Sequence, residues 1–434
     1  MLLPSRESVA ELIREVRRDS PFHKKLYEHL PEDVSDVEQL PLTDIDEYWK
    51  ACRAVPNQVL MGQLTDGIVL RTGGSTAAPK LVSNSKEKLV KAAQILGAAM
   101  SQNCGLIPGD RIANMMRHGS MYGGFVYTAA VFLHMPLPHV HLPITGNEPP
   151  PDAVAQLVAN DATVIMSNVF TAVRLADYLR TTGMNLPKIR LVLYTGEAFY
   201  KDLRPLFKAA FPNAKVHPSM YACIDSGLLG VPANPPLHED DDINPVYKAI
   251  APFGIVELIG EDGNSIKEPG KQGQVYVTHV VKKKLPMLRY PVGDMAAWVD
   301  YNQGTFRLYG RDNVDLKVGT AHIDLPLLRH LMDKAMGSHV IDSFQTVVRR
   351  QGLSNILKFR IAAEDPPNPE PIKKFIDGAL TQFIPSWTRD RELGHVGPVE
   401  LEFVKMRDLV THEKTGKLKN FIDERFDDPS TLGL

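Results

Sequence analysis

An α/β fold is what this sequence predicts: a large N-terminal α/β domain with a β-rich subdomain, then a small α+β C-terminal domain. Three observations predict it. Strand-like and helix-like apolar patterns alternate from residue 67 to 210, closely spaced strands follow from Gly254, and a separate strand–helix unit opens near Gly310. Such alternation argues for βαβ units and a largely parallel sheet. A chain of 434 residues exceeds one ordinary core, so domains at 1–310 and 311–434 are expected.

The elements follow in order. Val9, Leu12, Ile13 and Val16 recur at helical spacing between charged residues, an amphipathic helix. The stretch from Leu30 to Asp46, rich in Pro, Asp and Leu, reads as a connection. Gly67-Ile68-Val69-Leu70 is a strand, and Ser85 to Met100 is patterned as a helix. Helices at Ala153–Val158, Val173–Leu179 and Leu203–Ala210 alternate with strands at Ala162–Met166 and Ile189–Tyr194. Ile255–Ile259 and Gln274–Thr278, divided by the turn signal Glu261-Asp262-Gly263-Asn264, are strands of the β-rich part. The C-terminal unit has helices at Leu325–Met332 and Ile372–Leu380 and strands at Ser343–Val348, Leu357–Ala362 and Val399–Val404.

Composition narrows the class. Hydrophobic residues make up 44% and charged residues 23%, as in soluble globular proteins. A formal net charge of -2 gives no reason to expect nucleic acid or a membrane surface as partner. The first residues turn charged at once, and the longest apolar tract, Gly123 to Leu133, is too short to cross a bilayer. Cys52, Cys104 and Cys223 form no C-x-x-C pair, so free thiols and a cytoplasmic location are expected. Oligomeric state is not written in these features; a dimer is compatible with them.

Four motifs carry chemistry. Thr72-Gly73-Gly74-Ser75-Thr76-Ala77-Ala78-Pro79-Lys80 leaves a strand with glycines, hydroxyls and a closing lysine, the donors and charge that a polyphosphate needs. It is neither a Walker A sequence nor G-x-G-x-x-G, and a flexible turn is the alternative. Tyr194-Thr195-Gly196-Glu197-Ala198 ends an apolar strand, and Tyr221-Ala222-Cys223-Ile224-Asp225 follows. There a glycine admits an adenine ring, a tyrosine stacks on it and an acid holds Mg²⁺; alternatively Tyr221 is core and Asp225 a helix N-cap. Arg289-Tyr290-Pro291-Val292-Gly293-Asp294 places a carboxylate after a glycine turn, suited to ribose hydroxyls or merely solvated in a hairpin. Thr415-Gly416-Lys417 puts a lysine on a mobile tip, where it could neutralise a phosphoryl centre.

In order and spacing these motifs resemble the adenylate-forming acid ligases, most closely the phenylacetate–CoA ligase branch. Thr72 to Lys80 is similar to the family's phosphate loop, Tyr221 to Asp225 to its Tyr-Gly-x-[Ser/Thr]-Glu, and Arg289, Tyr290, Gly293 and Asp294 to its Arg-Tyr-x-x-Gly-Asp. Gly310-Arg311 matches the Gly-Arg that opens the C-terminal domain, and Gly416-Lys417 the family's Gly-Lys. Ser20-Pro21-Phe22-His23 and Leu40-Pro41-Leu42-Thr43 also resemble this branch, so the likeness runs from about residue 10 to 425.

The resemblance implies the adenylate-forming ligase fold and a two-step reaction. An acid is activated by MgATP to acyl-AMP, then passed to a thiol, usually that of coenzyme A. Thr72, Gly73, Gly74, Ser75, Thr76 and Lys80 would hold phosphates, while Gly196, Glu197, Ala198, Tyr221 and Ala222 frame the adenine. Asp225 would engage Mg²⁺, Asp294 with Arg311 would bind ribose, and Lys417 would be catalytic. His118, Tyr122 and Phe125, in the turn from Arg117 to Phe125, would line a pocket for an aromatic or arylalkyl acid. A carrier protein or partner enzyme is the rival acceptor, and a non-catalytic acid- or nucleotide-binding protein the rival class. Departures favour that rival: Ala77 for a glycine, Asp225 for Glu, Ala222 and Ile224 within the motif, and Asn313 and Val314 in the hinge. His238 lacks the cysteines of a zinc site, so no zinc is expected; His134, His139 and His141 cluster, His139 and His141 would share a strand face, and a metal site there would need a third ligand from the fold.

Overall fold

The computed structural model describes residues 5–72, 80–119, 121–196, 199, 204–233, 245–250, 254–280, 284–311, 315–337, 343–363, 366, 368–405, 408–410 and 421–425. The chain divides into two compact units, the first comprising Met1–Thr72 and Lys80–Gly310 and the second Gly73–Pro79 and Arg311–Leu434.

The first unit begins with α1 (Arg6–Asp19), α2 (Pro21–Leu26) and α3 (Ile45–Arg53). Ser5 caps α1 by accepting from Ser8 N–H, and its buried face is Val9, Leu12, Ile13 and Val16. Asp44 caps α3 by accepting from the N–H groups of Asp46 and Glu47, and α3 buries Tyr48 and Trp49. Next come β1 (Ile68–Arg71), β2 (Leu81–Asn84) and α4 (Lys86–Asn103), whose N-cap is Ser85. Here the structure corrects the sequence reading. The glycine-rich loop does not run from a strand into a helix; it closes an antiparallel hairpin, with Arg71 opposite Leu81.

Then follow β3 (Arg111–Asn114), α5 (Gly124–Leu133), β4 (Val140–Leu142), α6 (Pro150–Ala159), β5 (Val164–Asn168), α7 (Val169–Thr181), β6 (Leu191–Thr195), α8 (Arg204–Ala210) and β7 (Lys215–Pro218). The five strands form a parallel sheet in the order β4-β3-β5-β6-β7. Every residue of β6 is buried, and all of β5 but its last, as expected of parallel strands covered on both faces. Gly97 lets α4 approach the chain at Val131 and Met135, because a Cβ there would sit 3.0 Å from Val131 O.

The β-rich part starts earlier than Gly254. Strands β8 (Tyr221–Cys223), β9 (Gly227–Pro232), β10 (Val246–Ala249), β11 (Gly254–Ile259), β12 (Gln272–His279), β13 (Tyr290–Asp300) and β14 (Thr305–Arg311) make one sheet ordered β11-β12-β13-β14-β10-β9-β8. Its core gathers Tyr221, Tyr247, Tyr290, Trp298 and Phe306 with Tyr48 and Trp49 from α3.

The second unit comprises the hairpin of β15 (Asp315–Val318) and β16 (Ala321–Asp324), then α9 (Leu325–Met336), β17 (Ser343–Gln351), β18 (Ser354–Ala362), α10 (Glu370–Phe383), α11 (Pro385–Glu392), β19 (Glu400–Val404) and β20 (Phe421–Asp423). Its four-stranded sheet runs β19-β18-β17-β20, and it has its own core around Leu328, Val348, Phe359, Ile376 and Trp387. Asp390 is fully buried and accepts from Thr320 N–H at 2.6 Å and Thr320 Oγ1 at 2.8 Å, fixing the turn between β15 and β16.

Candidate active site

The parallel sheet changes direction at β3, since β4 lies on one side of it and β5 on the other. Ligands in open α/β sheets bind beyond the carboxyl ends of strands at such a point. The segment leaving β3 there is Met115 to Gly123, which carries His118 and Tyr122. His118 Nδ1 lies 3.1 Å from Thr145 Oγ1, and its ring meets that of Phe125 at 5.5 Å. Tyr122 is 38% exposed. Met121 and Thr145 hold φ values of 64° and 75°, sparsely populated for side chains with a Cβ, most of all a branched one. They are held by Arg71 N–H to Met121 O at 3.0 Å and Thr145 N–H to Asn114 O at 2.8 Å. The end of β1 and the segments after β3 and β4 are thus tied together.

At the other end of the sheet, β6 runs out into Gly196, whose φ of 81° places it in the left-handed region. Thr195 Oγ1 donates to Met220 O at 3.2 Å, and Ser219 N–H to Tyr194 O at 2.8 Å. Gly196 therefore starts beside the lead into Tyr221. Glu197 and Ala198 lie outside the described residues, as do Gly73, Gly74, Ser75, Thr76, Ala77, Ala78, Pro79, His238, Asn313, Val314, Gly416 and Lys417. The backbone of Arg311 ends β14.

Tyr221 opens β8, and Asp225 lies in the turn between β8 and β9, so Asp225 caps no helix. Its Oδ1 accepts from Ser226 N–H at 2.9 Å. Its Oδ2 accepts from Tyr290 OH at 3.0 Å and from Lys80 Nζ at 3.1 Å. Burial alone would raise this carboxyl, but the Lys80 charge and hydrogen bond, helped by Cys223 and Tyr290, pull its pKa down to about 2. Asp225 is ionised, and in this structure its counter-ion is the lysine that closes the glycine-rich loop. Lys80 N–H also reaches Thr72 Oγ1 at 3.2 Å, and Thr72 N–H donates to Lys80 O at 3.0 Å, which pins the loop at both ends.

Asp294 does not follow a turn. It sits inside β13, where the register against β12 slips between Gln274 and Tyr276, partners of Met295 and Pro291. The three residues Val292, Gly293 and Asp294 thus face one residue of β12, and Gly293 takes up the irregularity at a φ of 85°. Asp294 Oδ2 accepts from Tyr221 OH at 2.7 Å. The ring of Tyr221 is buried against Tyr247 at 5.5 Å and Phe306 at 5.9 Å, so the core alternative describes the ring. Ala222, next along β8, is half-buried.

The two motifs are therefore cross-linked reciprocally. Tyr221 of the first holds Asp294 of the second, and Tyr290 of the second holds Asp225 of the first. Sequence reasoning missed a further member, Trp49, whose indole N–H donates to Tyr290 OH at 2.8 Å. Nothing in the local pattern of α3 links residue 49 to residues 225 or 290. Arg289, at the head of the same motif, turns away from this group. It is buried, pairs with Glu257 at 2.9 Å and donates to Leu40 O at 2.7 Å. Thr43 Oγ1 donates to Leu288 O at 2.6 Å, so the Leu40–Thr43 segment and this motif are in contact.

His139 and His141 both pack against Phe132, at 5.8 and 5.0 Å. Among the described residues no group of three or more His, Cys, Asp or Glu could hold a metal, and no helix is long and apolar enough to cross a membrane.

No protein-family model and no curated protein sequence matches the chain. Solved structures do match in fold. The chain superposes on 2-hydroxyisobutyryl-CoA ligase in complex with 2-HIB-AMP and CoA with a TM-score of 0.70, at 15% identity, covering 97% of this chain and 89% of that one. An open conformation of the same ligase gives 0.61 at 14% identity, covering 96% and 90%. An acyl acid amido synthetase in complex with 2,4-DB gives 0.53 at 13% identity, covering 92% and 86%. This chain has the adenylate-forming acid ligase fold. In the first unit, Lys80, Asp225 and Tyr290 form one hydrogen-bonded set and Tyr221 with Asp294 another, although their positions are far apart in the sequence.

Proposed function

We propose that the chain activates a carboxylic acid with ATP, forming acyl-AMP and pyrophosphate, and transfers the acyl group to the thiol of coenzyme A. The observation that carries this reading is the reciprocal pairing of Tyr221 with Asp294 and of Tyr290 with Asp225, closed by Lys80. The lysine that closes the glycine-rich stretch, the acidic turn and the carboxylate of β13, on an adenylate-forming ligase fold, support this reading.

In the first step a substrate carboxylate oxygen attacks the α-phosphorus, the bond to the bridging oxygen breaks, and pyrophosphate leaves with the electron pair. The residues between Thr72 and Lys80 supply N–H groups, hydroxyls and one positive charge to the departing phosphates. Asp294 accepts from the ribose hydroxyls, Arg311 is a second ribose-binding residue, and Tyr221 acts through its hydroxyl by orienting Asp294. Gly196, Glu197, Ala198 and Ala222 frame the adenine. Lys417 bridges the substrate carboxylate and the α-phosphate. In the second step the thiol sulfur attacks the acyl carbonyl, AMP leaves, and the thiol proton passes to solvent. Mg²⁺, when bound, neutralises phosphate charge. The ionised Asp225 is the hard oxygen ligand that would hold it beside the substrate phosphates.

His118, Tyr122 and Phe125 mark the acyl pocket, and their rings suit an aromatic or arylalkyl acid. Incubating the protein with ATP, Mg²⁺, a panel of acids and either coenzyme A or a phosphopantetheinyl carrier protein tests the reading by mass spectrometry. Acyl-AMP followed by an acyl-CoA is expected, with aryl acids preferred. An acylated carrier moves the acceptor from coenzyme A to the rival, and bound ATP without any acyl-AMP supports a non-catalytic binder instead.

A further inference from the structure

We propose that Trp49 is a positioning residue for Lys80, and through it for the phosphates that the Lys80 ammonium would meet; this rests on the ATP-using reading above. Lys80 Nζ lies 5.3 Å from the centre of the Trp49 ring and 3.1 Å from Asp225 Oδ2. That same carboxylate oxygen accepts from Tyr290 OH, which in turn accepts from Trp49 Nε1. The four side chains form a closed circuit in which Trp49 meets Lys80 with its face and Tyr290 with its edge.

Tryptophan suits both places. Its ring is the strongest cation–π platform, and its indole N–H is a donor that phenylalanine lacks. Lysine is a point charge on a flexible stem, and one ion pair fixes its distance from Asp225 without fixing its direction. The ring supplies the second restraint. The platform is itself rigid: Trp49 is 3% exposed, while the Lys80 side chain is 30% exposed. Helix α3 is held ahead of this contact by the Asp44 cap and by Tyr48 OH donating to Pro286 O at 2.9 Å, four residues before Tyr290.

The test compares Trp49→Phe, which keeps a ring but loses the N–H, with Trp49→Leu, which loses both. ATP affinity is read by calorimetry, KM for ATP and for the acid by pyrophosphate exchange, and folding by thermal unfolding. Trp49→Leu is expected to weaken ATP binding about tenfold and Trp49→Phe distinctly less, with the acid KM of both within about twofold of wild type. Unchanged ATP affinity in Trp49→Leu overturns the inference. So does a parallel loss of ATP and acid affinity with a fall in Tm, which marks Trp49 as packing only. If Trp49→Leu does not fold, Trp49→Phe and Tyr290→Phe decide: ATP affinity equal to wild type in both overturns it, and weakened ATP affinity with an unchanged acid KM upholds it. A wild-type protein that binds no ATP sinks the underlying reading, whereas wild-type binding with an indifferent Trp49→Leu sinks only the role of Trp49.

Discussion

Asp225 and Asp294 are each held by a tyrosine from the opposite motif, and that exchange of partners is what single residues contribute to this site. The carboxylates were legible in the sequence from their spacing to glycine and tyrosine. Their partners were not, because a hydrogen bond between residues 73 positions apart, as from Tyr221 to Asp294, leaves no local periodicity. Tyr221→Phe removes one donor from a buried carboxylate, so a loss of about 1.5–3 kcal/mol in stability is expected from denaturant unfolding, with a raised KM for ATP. His23 gives the clearest pH effect. It is fully buried beside Ser20, and burial lowers its pKa from 6.5 to about 3. Between those values the unfolded chain takes up a proton that the folded chain refuses. Stability therefore falls as pH drops below about 6.5, by about 1.4 kcal/mol per pH unit from this residue. Urea midpoints of wild type and His23→Gln between pH 7 and 4.5 check this: the variant should show the flatter dependence.

At the scale of elements, helices α1, α4, α6, α7, α8, α9 and α10 and the parallel strands β5 and β6 could be read from the sequence because each shows an apolar pattern, whereas β3, β4 and β7, only three or four residues long, could not. The corrections fall where period carries no information. Strand β2 is four residues long with one exposed leucine, Leu81, so the hairpin under the polyphosphate loop was invisible. The irregular stretch of β13 looked like a turn because Gly293 has the composition of one; only pairing with β12 shows it to be strand. Gly146 links two loops at the change of sheet direction. A Cβ there would meet Met115 O at 2.3 Å and Thr171 Oγ1 at 3.0 Å. Gly146→Ala is expected to cost about 1–3 kcal/mol and to raise the acid KM more than the ATP KM, because the displaced segment carries His118 and Tyr122. Equal effects on both would remove this loop pair from acid binding.

The whole molecule consists of two units with separate cores, one built on the five- and seven-stranded sheets and one on the four-stranded sheet. Separate cores predict two calorimetric unfolding transitions, with ATP raising the one that belongs to the first unit. A single transition whose calorimetric and van't Hoff enthalpies agree would contradict that. The proposed chemistry needs both units, because Lys417 belongs to the second while Lys80, Asp225 and Asp294 belong to the first. Its central claim is adenylation, and acid-dependent exchange of labelled pyrophosphate into ATP measures it most directly. We predict exchange with at least one aryl acid, lost in Lys417→Ala while ATP binding persists. Silence across a broad panel of aromatic and aliphatic acids, with ATP bound, would contradict it.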